Sequence, residues 1–287
     1  MTAMGIIGCR VFEDEIVHVL SGDPEVERVY LVKNNENIGL QDKLKNQGLK
    51  PLALPVHEIK SCLKKSDGFS VIVQLQEIGL HSDPSRLKNK TYTNLSLMSG
   101  FTDGILLFYG LCGHAFSKMR KDFAYTGCSL QLLQDRSTGG TARPLDDCIA
   151  AALGGNSRYR EILKSYSDTF FLTPMWAVNW KSAFGTFEGM IGGFEFTPEN
   201  LRELGYRRVA RVNTGLSYEP DFEKKIEEFA LNFGLEIIEL EGSTEIAQKS
   251  FKKMENMRLG RLKLETVISP YVHLEIAPKM HITQLWV

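Results

Sequence analysis

The residues best placed to do chemistry are three cysteines. In "LLFYGLCGHAF", Leu106 to Phe116, an apolar run leads through Tyr109 into Cys112, which sits between Gly110 and Gly113. A cysteine meant only for packing needs no glycines on both sides. Gly110 and Gly113 predict a turn that presents Cys112 at a strand tip and lets backbone approach sulfur or a ligand. Cys9 follows Gly8 at the end of "MGIIGC", and Cys148 follows "RPLDD" at the start of "CIAAAL". Each thiol therefore stands where a predicted strand ends or a helix begins. A helix N-terminus favours thiolate over thiol, so the pattern predicts lowered pKa values. Thiolates gathered at such positions would hold a metal or a cluster.

Spacing alone does not compel this reading. No two of the three form a CxxC pair, and free cysteine is also a common small core residue. Cys62 and Cys128 read as structural. His114 lies too close in sequence to Cys112 to define a hydrolase triad. His81, in the polar turn "GLHSDPSRL", reads as an exposed loop histidine. Asp146 and Asp147 read equally well as N-capping residues or as support for the Cys148 loop. "DRSTGGTARPLDD", 135–147, could hold an anion. It lacks the GxxxxGK[ST] spacing, and "GIIGCR" lacks GxGxxG, so neither nucleotide fingerprint is present.

Buried-looking strands alternate with helical patterns along the chain, which predicts an α/β fold. The strands are Met4–Cys9, Val26–Val32 and Asp103–Gly110, then Thr169–Pro174, Arg207–Gly215 and Leu235–Gly242; Phe69–Glu77 reads as strand or helix, with strand favoured by its β-branched content. Helices are read over Phe12–Asp23, Leu40–Gly48, Glu219–Gly234 and Glu245–Met257, and Cys148–Tyr166 reads as a helix, a glycine break and a second helix. The expectation is two Rossmann-like lobes with mainly parallel sheets and an interlobe cleft. The N-terminal lobe, 1–175, carries the cysteine motifs. An aromatic and glycine-rich crossover spans 176–206, and the C-terminal lobe covers 207–287. Loops at the carboxyl ends of strands meet in one crevice of such a sheet, so distant cysteines can converge there. The crossover contributes Trp176 and Trp180, and Trp176 is expected to line a cofactor pocket together with Gly110 and Gly113. Core packing is the competing role for both tryptophans.

The chain of 287 residues has a net charge of −1, with 43% hydrophobic and 24% charged residues. That total gives no electrostatic case for nucleic acid or an anionic membrane. No apolar run approaches the roughly 20 residues of a membrane helix. "MTAMGIIGCRVFEDEI" does not read as a signal peptide. The expected location is the cytoplasm, where the five cysteines would be reduced thiols or metal ligands.

Taken together, "GCRVFEDEI", "GLHSDPSRL", "DGILLFYGLCG", "ARPLDDCIAAALG", "YREI", "TFFLTPMW" and "RVARVNTGL" resemble domain-of-unknown-function family 1638. Its members occur in methanogens and in bacteria that use corrinoid-dependent methyltransferases. The resemblance implies Cys9, Cys112, Cys148 and His81 as a shared metal set. It implies a role in corrinoid-linked one-carbon metabolism, with a corrinoid protein or methyltransferase as partner. Zinc is the leading metal, a [4Fe–4S] cluster the alternative, and a corrinoid a further implied cofactor. A thiolate-rich zinc site with one open position would bind and activate a thiol. A non-catalytic assembly factor for a corrinoid protein or its metal is the competing function. Family members usually carry histidine where this chain has Asp146, and the ending "VHLEIAPKMHITQLWV" also departs from the usual pattern.

Overall fold

The computed structural model describes residues 2–64, 68–112, 115–135, 142–190 and 195–258. Two parallel sheets form its frame. The first has six strands in the order β3-β2-β4-β1-β5-β6. These are β1 (Thr2–Cys9), β2 (Arg28–Val32), β3 (Leu52–Leu54), β4 (Phe69–Gln76), β5 (Gly104–Phe108) and β6 (Ser129–Leu132). A short antiparallel pair, β7 (Gln134–Asp135) and β8 (Arg143–Pro144), follows. The second sheet orders β11-β10-β9, from β9 (Thr169–Leu172), β10 (Arg208–Asn213) and β11 (Glu236–Glu241).

The helices between the strands are α1 (Glu13–Ser21), α2 (Asn37–Asn46), α3 (Val56–Leu63), α4 (Pro84–Met98) and α5 (Met119–Asp122). Next come α6 (Cys148–Ala152), α7 (Asn156–Ser165), α8 (Pro174–Met190) and α9 (Pro198–Glu203). The last two are α10 (Phe222–Phe233) and α11 (Glu245–Arg258). None of the described helices is long and apolar enough to cross a membrane.

The central strands are continuous apolar runs because both their faces are covered. Every residue of β4 and β5 is buried. Strand β1 pairs with both in parallel, bringing Cys9 beside Gln76 and Gly8 beside Phe108. The alternating pattern read from the sequence thus gives the α/β fold expected, with two Rossmann-like sheets. From β1 the chain moves one way along the sheet to β2, and from β4 it crosses β1 the other way to β5. The carboxyl ends of β1 and β4 therefore flank a switch point, the crevice where open parallel sheets bind ligands.

The second sheet starts earlier than the boundary expected at 175, because β9 pairs with β10. The aromatic stretch expected as a crossover is largely helical. Met175, Trp176, Trp180, Ala183 and Phe184 are buried along α8. Its glycines weaken helical preference locally, and burial of this face outweighs them. Trp180 packs against Phe184, Phe229 and Phe233 with ring centroids 5.4–5.8 Å apart, which gives it a place in the core of the second lobe. The chain then returns to the first lobe. Lys252 of α11 pairs with Asp23 at 3.1 Å, and Gln248 bonds His18 at 2.6 Å.

Candidate functional site

Four loops meet at the carboxyl edge of the first sheet. Strand β1 ends in Cys9 and a 3-10 turn, Arg10–Phe12. Strand β4 runs into the 3-10 turn Ile78–Ser82, which holds His81. Strand β5 leads through Tyr109 and Gly110 to Cys112, and Cys148 opens α6. Gly110 is what lets the last two loops touch. A Cβ there would stand 3.1 Å from the Leu145 carbonyl oxygen and 3.1 Å from the Asp147 carbonyl carbon. The Leu111 N–H donates to the Leu145 carbonyl at 2.9 Å, fastening the loops together. Gly113 and His114 lie outside the described residues, as does 136–141 of the glycine-rich loop.

The outcome is a compact donor set. One donor atom each from His81, Cys112 and Cys148 lies within 4.8 Å of the others, and all three residues are buried. The Cys112 and Cys148 sulfurs are 3.9 Å apart. His81 is 7% exposed. Its Nε2 is buried and finds no hydrogen-bond partner among the described residues. Reading His81 as an exposed loop residue is therefore overturned. The turn following a wholly buried strand stays inside and packs under α8, and His81 lies 5.7 Å from the Tyr109 ring. Burial lowers the His81 pKa to about 4, so the imidazole is neutral at pH 7, the form that coordinates a metal.

Cys9 lies on the wall of the same pocket but outside the 4.8 Å group. Its sulfur accepts the Val11 N–H at 3.5 Å, which turns it toward its own loop. Cys62 sits on α3, and the Cys128 sulfur contacts Thr102 Oγ1 at 3.6 Å. Neither lines the pocket.

The expected lowering of thiol pKa values does not occur at Cys9 or Cys112. Burial, then Cys148, raises Cys9 well above its ordinary value. The hydrogen bond with Cys148, then burial, does the same for Cys112. The turn that Cys9 opens, Arg10–Phe12, is three residues long and too short to oppose the loss of hydration. Two thiols and an imidazole without compensating charge are what a metal site presents before its ion supplies that charge.

Cys112 has φ of 44°, the one described non-glycine residue in the left-handed region. Holding a side chain there costs about 1–3 kcal/mol, a kind of strain that concentrates at functional sites. Asp147 lines the pocket, and its Oδ1 caps α6 by accepting the Ile149 N–H at 2.6 Å. Burial, with a contribution from Asp146, pushes its pKa up to about 7. Asp146 pairs with Arg160 at the surface. The second lobe supplies the far wall through Phe170, Phe171 and Trp176. The pocket between these side chains holds about 20 Å³. One water needs roughly 10–15 Å³ by this measure, so an ion fits among these side chains.

Fold and site together define a two-lobed α/β protein with a buried thiol–imidazole pocket between the lobes. The chain belongs to the family described as "Protein of unknown function (DUF1638)", whose model matches residues 75–251. The matched region contains His81, Cys112 and Cys148 but not Cys9. No curated protein matches the chain.

Sequence reasoning found both close cysteines by their position beside glycine or aspartate. It missed the contribution of Tyr109 and Gln76. The Tyr109 hydroxyl donates to Gln76 Oε1 at 2.7 Å, reaching across the strand that carries Cys9. The signal available was their position at the ends of the two most apolar strands.

Proposed function

We propose that His81, Cys112 and Cys148 hold one zinc ion with a position left open for a thiol, and that the protein serves corrinoid-linked methyl transfer. The observation that carries the metal assignment is the sulfur separation. Two thiolates on one tetrahedral zinc, each about 2.3 Å from it, stand about 3.8 Å apart. Here the separation is 3.9 Å. In a [4Fe–4S] cluster each thiolate binds its own iron, which spreads the sulfurs more widely, so a single ion fits better. The corrinoid link rests on the family resemblance.

Each residue has a definable task. Cys112 and Cys148 would donate sulfur, and His81 would donate its free Nε2. Phe170, Phe171 and Trp176 would keep bulk water from the donors. Bound zinc would hold an incoming thiol as the nucleophilic thiolate near neutral pH.

Metal analysis of anoxically purified protein tests this. The expected result is close to one zinc per chain in a colourless preparation. Cys112→Ser, Cys148→Ser and His81→Gln should each lose most of it with the fold retained by circular dichroism. Full zinc retention in all three variants overturns the site, and a brown iron-containing protein replaces zinc with a cluster. The small cavity favours a second reading, a closed site in an assembly factor that carries metal without turnover. Stable complex formation with a corrinoid protein, with no methyl-donor consumption, would select it.

A further inference from the structure

The donors and their cover come from different lobes. His81 and Cys112 stand on loops of the first sheet, and Cys148 is bound to those loops through Gly110. Phe170 and Phe171 belong to the second sheet and Trp176 to α8. A cavity of about 20 Å³ cannot admit a thiol substrate beside an ion. Moving the second lobe away from the first would uncover the donors and make that room.

Beside the packing of α8 on the His81 turn, an ion-pair cluster joins the lobes near this pocket. Lys43 of α2 reaches Glu13 at 2.9 Å and Asp14 at 2.6 Å, both on α1 of the first lobe. The same ammonium pairs with Glu219, in the second-lobe segment before α10, and lies 3.1 Å from the sulfur of Met175. Met175 directly precedes Trp176 of the pocket wall. Arg10 pairs with Glu13 and Glu36, at 3.7 and 3.6 Å, completing the first-lobe side.

We infer that the Lys43–Glu219 pair is a reversible clasp that holds the aromatic wall over the thiol–imidazole pocket, and that its release admits substrate. The arrangement suits repeated opening. When Glu219 leaves, Lys43 keeps Glu13 and Asp14, so no cation is stranded in a buried position, the outcome that makes breaking most buried ion pairs costly. Glu219, already at the seam, passes into water. The role as a substrate gate rests on the proposed function, but the mechanical claim does not.

The test is the accessibility of Cys112 and Cys148 in full-length, metal-free protein, read by mass spectrometry after timed exposure to a bulky maleimide. Losing one charge-assisted hydrogen bond, about 1.5–3 kcal/mol, predicts that Glu219→Gln raises modification of both cysteines by about tenfold or more. Cys62 and Cys128, away from the seam, should not change. Lys181→Gln, which removes a pair with Glu228 inside the second lobe, should leave the pocket cysteines protected. Unchanged rates at Cys112 and Cys148 overturn the clasp. So does an equal rise at all cysteines, which signifies general unfolding. Because no metal is present, the result is independent of whether zinc is bound.

Discussion

Gly110→Ala tests how the site is assembled. The new methyl carbon would stand 3.1 Å from the Leu145 oxygen, 3.1 Å from the Asp147 carbonyl carbon and 3.3 Å from the Asp147 nitrogen. All three are backbone atoms, so no flexible side chain can give way. Ordinary contact is a few tenths of an ångström longer, so the 145–147 segment must retreat from the end of β5. Overpacking of this kind costs about 1–3 kcal/mol. The retreat stretches the Leu111–Leu145 hydrogen bond and carries Cys148 away from Cys112. In the metal-free protein the loops can separate, whereas bound zinc would force them together. The difference appears as weaker binding, about tenfold for each 1.4 kcal/mol of strain that zinc restores. Zinc affinity measured by competition with a chromophoric chelator, beside urea unfolding of the metal-free protein, reads both effects. Gly100→Ala is the control, because a Cβ there meets nothing within 4 Å. If Gly110→Ala matches wild type in both stability and zinc affinity, the close approach is not what builds the site.

Three further outcomes are expected. Phe229 is fully buried among Phe170, Trp180, Phe184 and Phe233, so Phe229→Ala should cost about 3–5 kcal/mol in urea unfolding. A loss under 1 kcal/mol would show that this cluster is not a packed core. Gly185 lies in α8 with open space around it, and Gly185→Ala should stabilise by about 0.5–1 kcal/mol, seen as a raised midpoint in thermal melts. Glu15 is 5% exposed, and burial, reinforced by Asp14, raises its pKa to about 8. Between the ordinary 4.5 and about 8 the folded protein holds a proton that the unfolded chain has released. Glu15 therefore makes stability fall as pH rises through this window. Glu15→Gln should flatten that decline and stabilise most at pH 8–9, and a decline of unchanged slope would refute it.

Much of the frame was legible because buried parallel strands are continuous apolar runs. "GILLF" announces a central strand, "FSVIVQLQ" leans to strand through its β-branched residues while helix stays open, and the stripe Phe222, Ile226, Phe229 and Phe233 announces α10. The aromatic segment around Trp180 was less legible. Its glycines and aromatics weaken local helical preference, and only packing against Phe229 and Phe233 settles it as helix. The two close cysteines were legible by position, since the ends of parallel strands must converge.

The sequence alone determined which thiols could come together, because strand tips are a property of local pattern. Tertiary structure decided which of them do. Cys9 and Cys112 both follow central strands beside glycine, and nothing local separates them. Yet the Cys9 sulfur turns to the Val11 amide while Gly110 lets Cys112 close on Cys148. His81 sits in a sequence as polar as any surface turn and is nonetheless buried. Exposure is set by what the rest of the chain lays over a residue, here α8 and the second lobe. That covering also fixes the charge state of the site, since removing water from thiols and imidazole is a tertiary effect that no spacing of residues encodes.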